Sequence, residues 1–272
     1  MEILDKIIYR YLAKKNYPEI AVLVNDCVGL NVICHEVYEK KDLELILSSL
    51  NEEVFNFPLI DVGANIGNHS LFFSNYFKKI IAFEPQKKVF KLLEFNTSDH
   101  PNIEIFNFGL SNEKCKLQIS YDKANRGGAT FKNDINKPNS EVCDLNVFDD
   151  FYPKLNFSFV KIDVEGFELN VLKGMKKNIL KNLPIIAFEG KIDSTEKIIK
   201  YLSKIGYDTF LVPSDYKINK YIKSNNLLIL ALRFLIRKLS FGFRKKLVKI
   251  SEMTKDYNLI IAVSKNSKFN LK

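Results

Sequence analysis

Five carboxylates in this chain stand where carboxylates can do chemistry. Asp61, Glu84, Asp163, Glu165 and Glu189 each close or follow a short apolar run that reads as a buried strand. Such strand ends lie at the carboxyl edge of an open α/β sheet, where ligands bind. Asp61 opens DVGANIG, in which Gly63 and Gly67 permit a tight turn and close backbone approach, with Asn65 between them. Glu84 lies 23 residues beyond Asp61, near the offset of about 20 at which an acidic residue meets ribose hydroxyls. The spacing favours an adenosine site. Asp163 and Glu165 are two apart, so on a continuing strand both point to one side of the sheet. Two adjacent carboxylates push one pKa upward, which suits a general base. Lys161 shares their parity and can neutralise one carboxylate or orient an acceptor oxygen. A charge network at the sheet edge is the plain alternative for Lys161, Asp163, Glu165 and Glu189.

The elements that must position these groups alternate between strand and helix. Residues 57–62, 79–83, 103–108, 116–121, 140–145, 157–164, 184–188, 207–212 and 258–263 read as strands. Residues 68–77, 86–96, 147–152, 167–174 and 198–202 read as helices between them. That alternation predicts a mostly parallel sheet with helices on both faces. Ahead of it, residues 2–14 and 41–49 read as helices and 20–37 as more strand-like. Residues 122–139, around Asn125, Arg126, Gly127, Gly128 and Pro138, are polar and turn-rich, and predict a linker or active-site loop. There Arg126 could hold an anionic group by bidentate bonds, or stand in a solvated loop. Asn107, at a strand end beside its turn, is a further candidate near a bound base, or ordinary turn chemistry. His69 opens the first helix as a potential base, a packing group or a cap.

DVGANIGNHS, IAFEP, KIDVEGFELNVLKG and PIIAFEG, in this order and spacing, resemble the FkbM-type S-adenosylmethionine-dependent methyltransferases, strongly over residues 57–190 and more loosely beyond. The resemblance implies a Rossmann-like class I methyltransferase sheet with a terminal antiparallel hairpin. It also implies O-methylation of a saccharide or another hydroxyl-bearing product. The donor, S-adenosylmethionine, would lay its methionine part over residues 61–67 and its ribose on Glu84, with Asp61 fixing the turn or receiving the ammonium. Asn107 would stand near the adenine. An acceptor hydroxyl is a poor nucleophile until its proton starts to leave, so a positioned base adds about 10²- to 10⁴-fold. Asp163 is the first choice for that base, with Glu165 supporting and Glu189 third. On this reading 1–56 form a cap, 57–264 the catalytic domain and 265–272 a tail.

Composition narrows the alternatives. The chain has 272 residues, 46% of them hydrophobic, enough for a proper core and against disorder. Four separated cysteines with no CxxC pair suggest neither a zinc site nor a disulfide framework. Reduced thiols and an N-terminus without an export signal predict a cytoplasmic protein. No dedicated oxygen cage is evident, so no required metal is expected. Of the net charge of +9, ten Lys and Arg with no acid fall within 217–249. This apolar and basic stretch, part of a 213–256 insertion, carries too many charges to span a membrane. It could lie on an anionic membrane, including its inner face, grip a phosphorylated or nucleotide-linked substrate, or pack on the body. The missing GxGxxG disfavours a nicotinamide oxidoreductase. A non-catalytic or differently specific nucleotide-binding protein is a second reading. A nucleic-acid methyltransferase is a third, made unlikely by the lack of an NPPY-like motif for a flipped base.

Overall fold

The structure, a computed structural model, describes residues 19–24, 26–122, 125–131, 139–214, 246–250 and 256–272. The expected helix at 2–14 and most of the basic insertion lie outside the described residues. The central strands are β1 (Leu59–Val62), β2 (Ile80–Phe83), β3 (Ile103–Phe106), β8 (Phe159–Ile162) and β9 (Ile185–Gly190). Each is short and almost wholly apolar, because both faces are covered. Ile60 and Val62 of β1 join one core with Val160, Ile162, Ile81 and Phe83. Leu59, Ile80, Ala82 and Phe159 join the other. Successive side chains alternate between the cores, and the polar positions Asp61 of β1 and Lys161 of β8 pair with each other.

Helices complete both layers. One face carries α1 (Cys27–His35), α2 (Lys40–Ser49), α3 (Asn68–Ser74) and α4 (Lys87–Thr97), of which α2, α3 and α4 supply Leu43, Phe73 and Leu93 to its main core. The other carries α5 (Phe148–Phe151), α6 (Glu168–Gly174), α7 (Lys176–Asn182) and α8 (Ile192–Lys204), which supply Phe148, Leu172, Ile179 and Leu202. The strand order is β11-β10-β12-β9-β8-β1-β2-β3, where β10 is Thr209–Ser214, β11 Lys246–Lys249 and β12 Tyr257–Val263. β12 runs antiparallel between β9 and β10, and β11 returns antiparallel along β10. The expected Rossmann-like class I methyltransferase sheet with its terminal antiparallel pair is therefore present.

Register sets the site. Val62 pairs with Phe83 and with Ile162, and Ile162 pairs with Phe188. The residues one step further, Gly63, Glu84, Asp163 and Glu189, thus reach the carboxyl edge at one level.

Two expectations are corrected. Residues 20–37 hold α1, because Asp26 caps it by accepting from the amides of Val28 and Gly29, and that cap overrides the β-branched run. Residues 122–139 are not one loop: β4 (Gly109–Leu110), β5 (Cys115–Asp122), β6 (Asn125–Thr130) and β7 (Asn139–Asn146) form a second sheet in the order β4-β7-β5-β6. Residues 265–272 pack on the body, with Phe269 buried against Phe57 and Leu271 bridged to Leu50.

Candidate active site

The loop after β1 is built on two glycines that nothing else can replace cheaply. Gly63 has φ +80, and a Cβ there would lie 1.9 Å from the Asp163 carbonyl oxygen. The loops after β1 and β8 therefore touch through bare backbone. Gly67, at φ +92, turns the chain into α3. Between them Asn65 is left-handed at φ 53, and its amide donates to Glu84 Oε2 at 3.0 Å. Glu84 Oε1 accepts from the Gln86 amide at 2.8 Å. The carboxylate is buried, and burial raises its pKa to about 7 against the pull of those two amides.

Beneath this loop lies Asp61, fully buried, which accepts from Ser70 Oγ at 2.6 Å and pairs with Lys161 Nζ at 3.2 Å. Lys161 also reaches Asp163 Oδ2 at 3.5 Å and the Gly63 carbonyl at 3.3 Å. Burial works against its charge, but Asp61 and Asp163 outweigh burial and raise its pKa.

Beside Lys161 the carboxylates of Asp163, Glu165 and Glu189 bring one oxygen each within 4.8 Å of one another. They do not meet along a continuing strand: β8 ends at Ile162, and Glu165 (φ 52) and Gly166 (φ 96) turn the chain. Lys191 Nζ pairs with Glu165 and lies 3.4 Å from Glu189 Oε2. Glu189 Oε2 is buried without a hydrogen bond, and burial followed by the Glu165 charge raises its pKa to about 7.

The second sheet roofs the cleft. Arg126 is buried, with its guanidinium 4.2 Å over the Tyr121 ring and its Nη1 without a hydrogen-bond partner. Its amide donates to Asp26 Oδ1 at 2.6 Å, and its carbonyl accepts from Gln86 Nε2 at 3.1 Å. Phe131 packs on Phe167, and Thr130 Oγ1 donates to the Glu165 carbonyl at 3.2 Å. This sheet and the loop after β8 are thus held together.

One cleft of about 250 Å³ is lined by Gly63, Asn65, Glu84, Arg126, Lys161, Asp163, Glu165 and Glu189. Asp61 and Gly67 support its floor. Asn107 lies outside it, donating to the carbonyl of Glu84 at 2.9 Å and so fixing the turn. His69 lines the cleft, and burial followed by the Lys161 charge holds its pKa down to about 3, so it is neutral. Sequence reasoning passed over Gln86, Lys191, Tyr38 and Glu39, all at or beside the cleft. Gln86 and Lys191 each stand two residues past a named glutamate, a spacing that could have flagged them. His69 Nε2, Gln86 Oε1, Arg126 Nη1 and Glu189 Oε2 are buried without hydrogen-bond partners, and all four residues line the cleft. Unsatisfied polar atoms gathered at a cleft are what a polar ligand satisfies. Together with the Glu84 carboxylate they fit a ligand carrying hydroxyl, amino and carboxylate groups, as S-adenosylmethionine does.

Comparison with known proteins agrees. Residues 61–209, more than half of the chain, match the Methyltransferase FkbM domain. The chain is similar to the hexuronic acid methyltransferase AglP of Haloferax volcanii, at 29% identity over 189 residues, covering 64% of this chain and 74% of that protein. Among solved structures it is similar to methyltransferase FkbM of Methylobacillus flagellatus KT, with a TM-score of 0.43, 16% identity and coverage of 76% of this chain; it spans 54% of that protein's length. It is also similar to the precorrin-6y C5,15-methyltransferase of Geobacter metallireducens GS-15, with a TM-score of 0.44, 14% identity and coverage of 91% and 100% of the two chains. The chain belongs to the FkbM methyltransferase family and is an enzyme that takes its methyl group from S-adenosylmethionine.

Proposed function

We propose that this enzyme O-methylates a hydroxyl of a saccharide or glycan precursor. The observation that carries the reading is the level strand register, which brings the Glu84 pocket and the acidic cluster of Asp163, Glu165 and Glu189 into one cleft. The similarity to a hexuronic acid methyltransferase supports a sugar-related acceptor.

When bound, S-adenosylmethionine supplies a methyl group on a sulfonium, ready for in-line displacement. Glu84 would accept hydrogen bonds from the ribose hydroxyls, and the Gly63 to Asn65 backbone would receive the methionine part. The acceptor oxygen must then be held close to the methyl and in line with the sulfur, a positioning that supplies about 7 to 11 kcal/mol in favourable cases. Both candidates for the base stand beside a lysine, Asp163 at 3.5 Å from Lys161 and Glu189 at 3.4 Å from Lys191. Glu189 is preferred because burial, followed by the Glu165 charge, raises its pKa to about 7, near the value at which a base works best. Glu189 Oε2 would take the hydroxyl proton; the donor would supply the methyl group, its carbon–sulfur bond breaking with the electron pair left on sulfur, so that S-adenosylhomocysteine leaves. Lys191 holds Glu165 and Glu189 in place, and Arg126 takes an anionic group of the acceptor. Lys191 Nζ stands between Glu165 and Glu189 and offsets the charge of these two carboxylates. The enzyme works in the cytoplasm. No described helix is long and apolar enough to cross a membrane, and the 217–249 segment is the part suited to an anionic membrane surface.

The test is to incubate the enzyme with methyl-labelled donor and a panel of neutral sugars, hexuronic acids and their nucleotide-linked forms. Label should enter a saccharide as an alkali-stable ether. Label in an alkali-labile ester, or only in nucleic acid or protein, would contradict the proposal.

A further inference from the structure

The N-terminal segment contributes more than cover to this cleft. Asn68, in the first turn of α3, clamps Tyr38 through both ends of its amide. Its Oδ1 accepts from the Tyr38 amide at 3.0 Å, and its Nδ2 donates to the Tyr38 carbonyl at 3.1 Å. The next residue, Glu39, is left-handed at φ 58, a conformation that costs a non-glycine residue about 1 to 3 kcal/mol. The clamp offsets that cost. It brings Glu39 Oε2 to 3.5 Å from His69 Nε2, with the Tyr38 ring stacked on the imidazole. His69 is only 7% exposed and its Nε2 has no hydrogen-bond partner, yet both it and Glu39 line the cleft.

Charge decides what this end can take. The groups facing Glu39 are Tyr38 and Asp42 from its own segment, His69 from α3, Lys161 from β8, Asp163 just beyond it, and Glu189 from β9. Lys161 is engaged by Asp61 and Asp163, so the balance is acidic and suits a ligand cation. Asp61, the carboxylate that the sequence offers to the donor's ammonium, is fully buried under the loop and does not line the cleft. Glu39, which does line the cleft, is placed to serve instead.

Resting on the reading that this cleft binds the donor, we propose that Tyr38, Glu39 and His69 form its amino-acid subsite. Glu39 receives the α-ammonium of S-adenosylmethionine, and His69, as the Nε2–H tautomer, donates to its α-carboxylate. Asn68 is the positioning residue that seats Glu39. The pKa of Glu39, raised to about 7 by burial first and then by Asp163, agrees with a carboxylate that lacks its cationic partner.

The test compares two ligands that share the nucleoside and differ in the amino-acid end. S-adenosylhomocysteine and 5′-methylthioadenosine are titrated calorimetrically into wild type, Glu39→Gln and Asn68→Ala. Loss of one charge-assisted hydrogen bond is expected to weaken S-adenosylhomocysteine about tenfold to a hundredfold in Glu39→Gln. Asn68→Ala should weaken it in the same direction, and 5′-methylthioadenosine should bind all three proteins alike, which also shows that the variants are folded. Equal loss for both ligands would assign Glu39 a purely structural role and overturn the proposal, as would unchanged S-adenosylhomocysteine binding. A wild type that binds neither ligand would instead defeat the donor-site reading beneath it.

Discussion

At the scale of single residues, the cleft divides its carboxylates by environment. Asp61 is neutralised by Lys161, Glu84 is braced by two amides, and Glu189 keeps an unsatisfied oxygen. A raised pKa means that Glu189 is ionised, and able to accept a proton, only above about 7. With donor saturating, kcat should therefore rise as pH increases through about 7 and fall below it. Glu189→Gln should lower kcat by about 10²- to 10⁴-fold and remove that pH dependence. A variant with near-wild-type kcat would return the role of base to Asp163. The identities of these groups were legible because each glutamate or aspartate closes an apolar strand. Their division of labour was not, since Asp163 and Glu189 look equivalent until the burial of Glu189 beside Glu165 is known.

Among the elements, the parallel strands were readable from apolar runs, while the second sheet was hidden. Its strand β6, NRGGAT, has no alternation to betray it, and it pairs with β5 through a register irregularity. Helix α1 was misread for the opposite reason: its valines and isoleucine suggested a strand, and the signal to heed was the Asp26 cap. The loop joining β1 to α3 was legible from its glycines, but the reason for Gly63 lies in another loop, whose Asp163 carbonyl oxygen would stand 1.9 Å from a Cβ at residue 63. Gly63→Ala should consequently cost about 3 kcal/mol or more, from steric conflict added to strain. Gly206 has a similar φ of +100, but its nearest neighbour to a new Cβ is 3.9 Å away, so Gly206→Ala should cost only about 1 kcal/mol. Thermal and urea denaturation of the two variants would check this order, and equal losses would refute close loop contact as the reason for Gly63.

For the molecule as a whole, the fold and its chemistry converge on the level carboxyl edge. Four strands in register deliver Gly63, Glu84, Asp163 and Glu189 together, a second sheet roofs them with Arg126, and the N-terminal segment closes one end with Glu39. The family was legible because its motifs are the strand ends themselves. The roof and the closing end were not, because they are assembled from residues such as Asp26, Asn68 and Arg126 that only the folded chain brings together. The central claim is that the Glu84 pocket binds the methyl donor. Its most direct test is calorimetric titration of S-adenosylmethionine, S-adenosylhomocysteine and NAD into wild type and Glu84→Ala. The account predicts that wild type binds the first two and not NAD, and that Glu84→Ala loses both. Binding of NAD alone, or undiminished S-adenosylmethionine binding in Glu84→Ala, would contradict it.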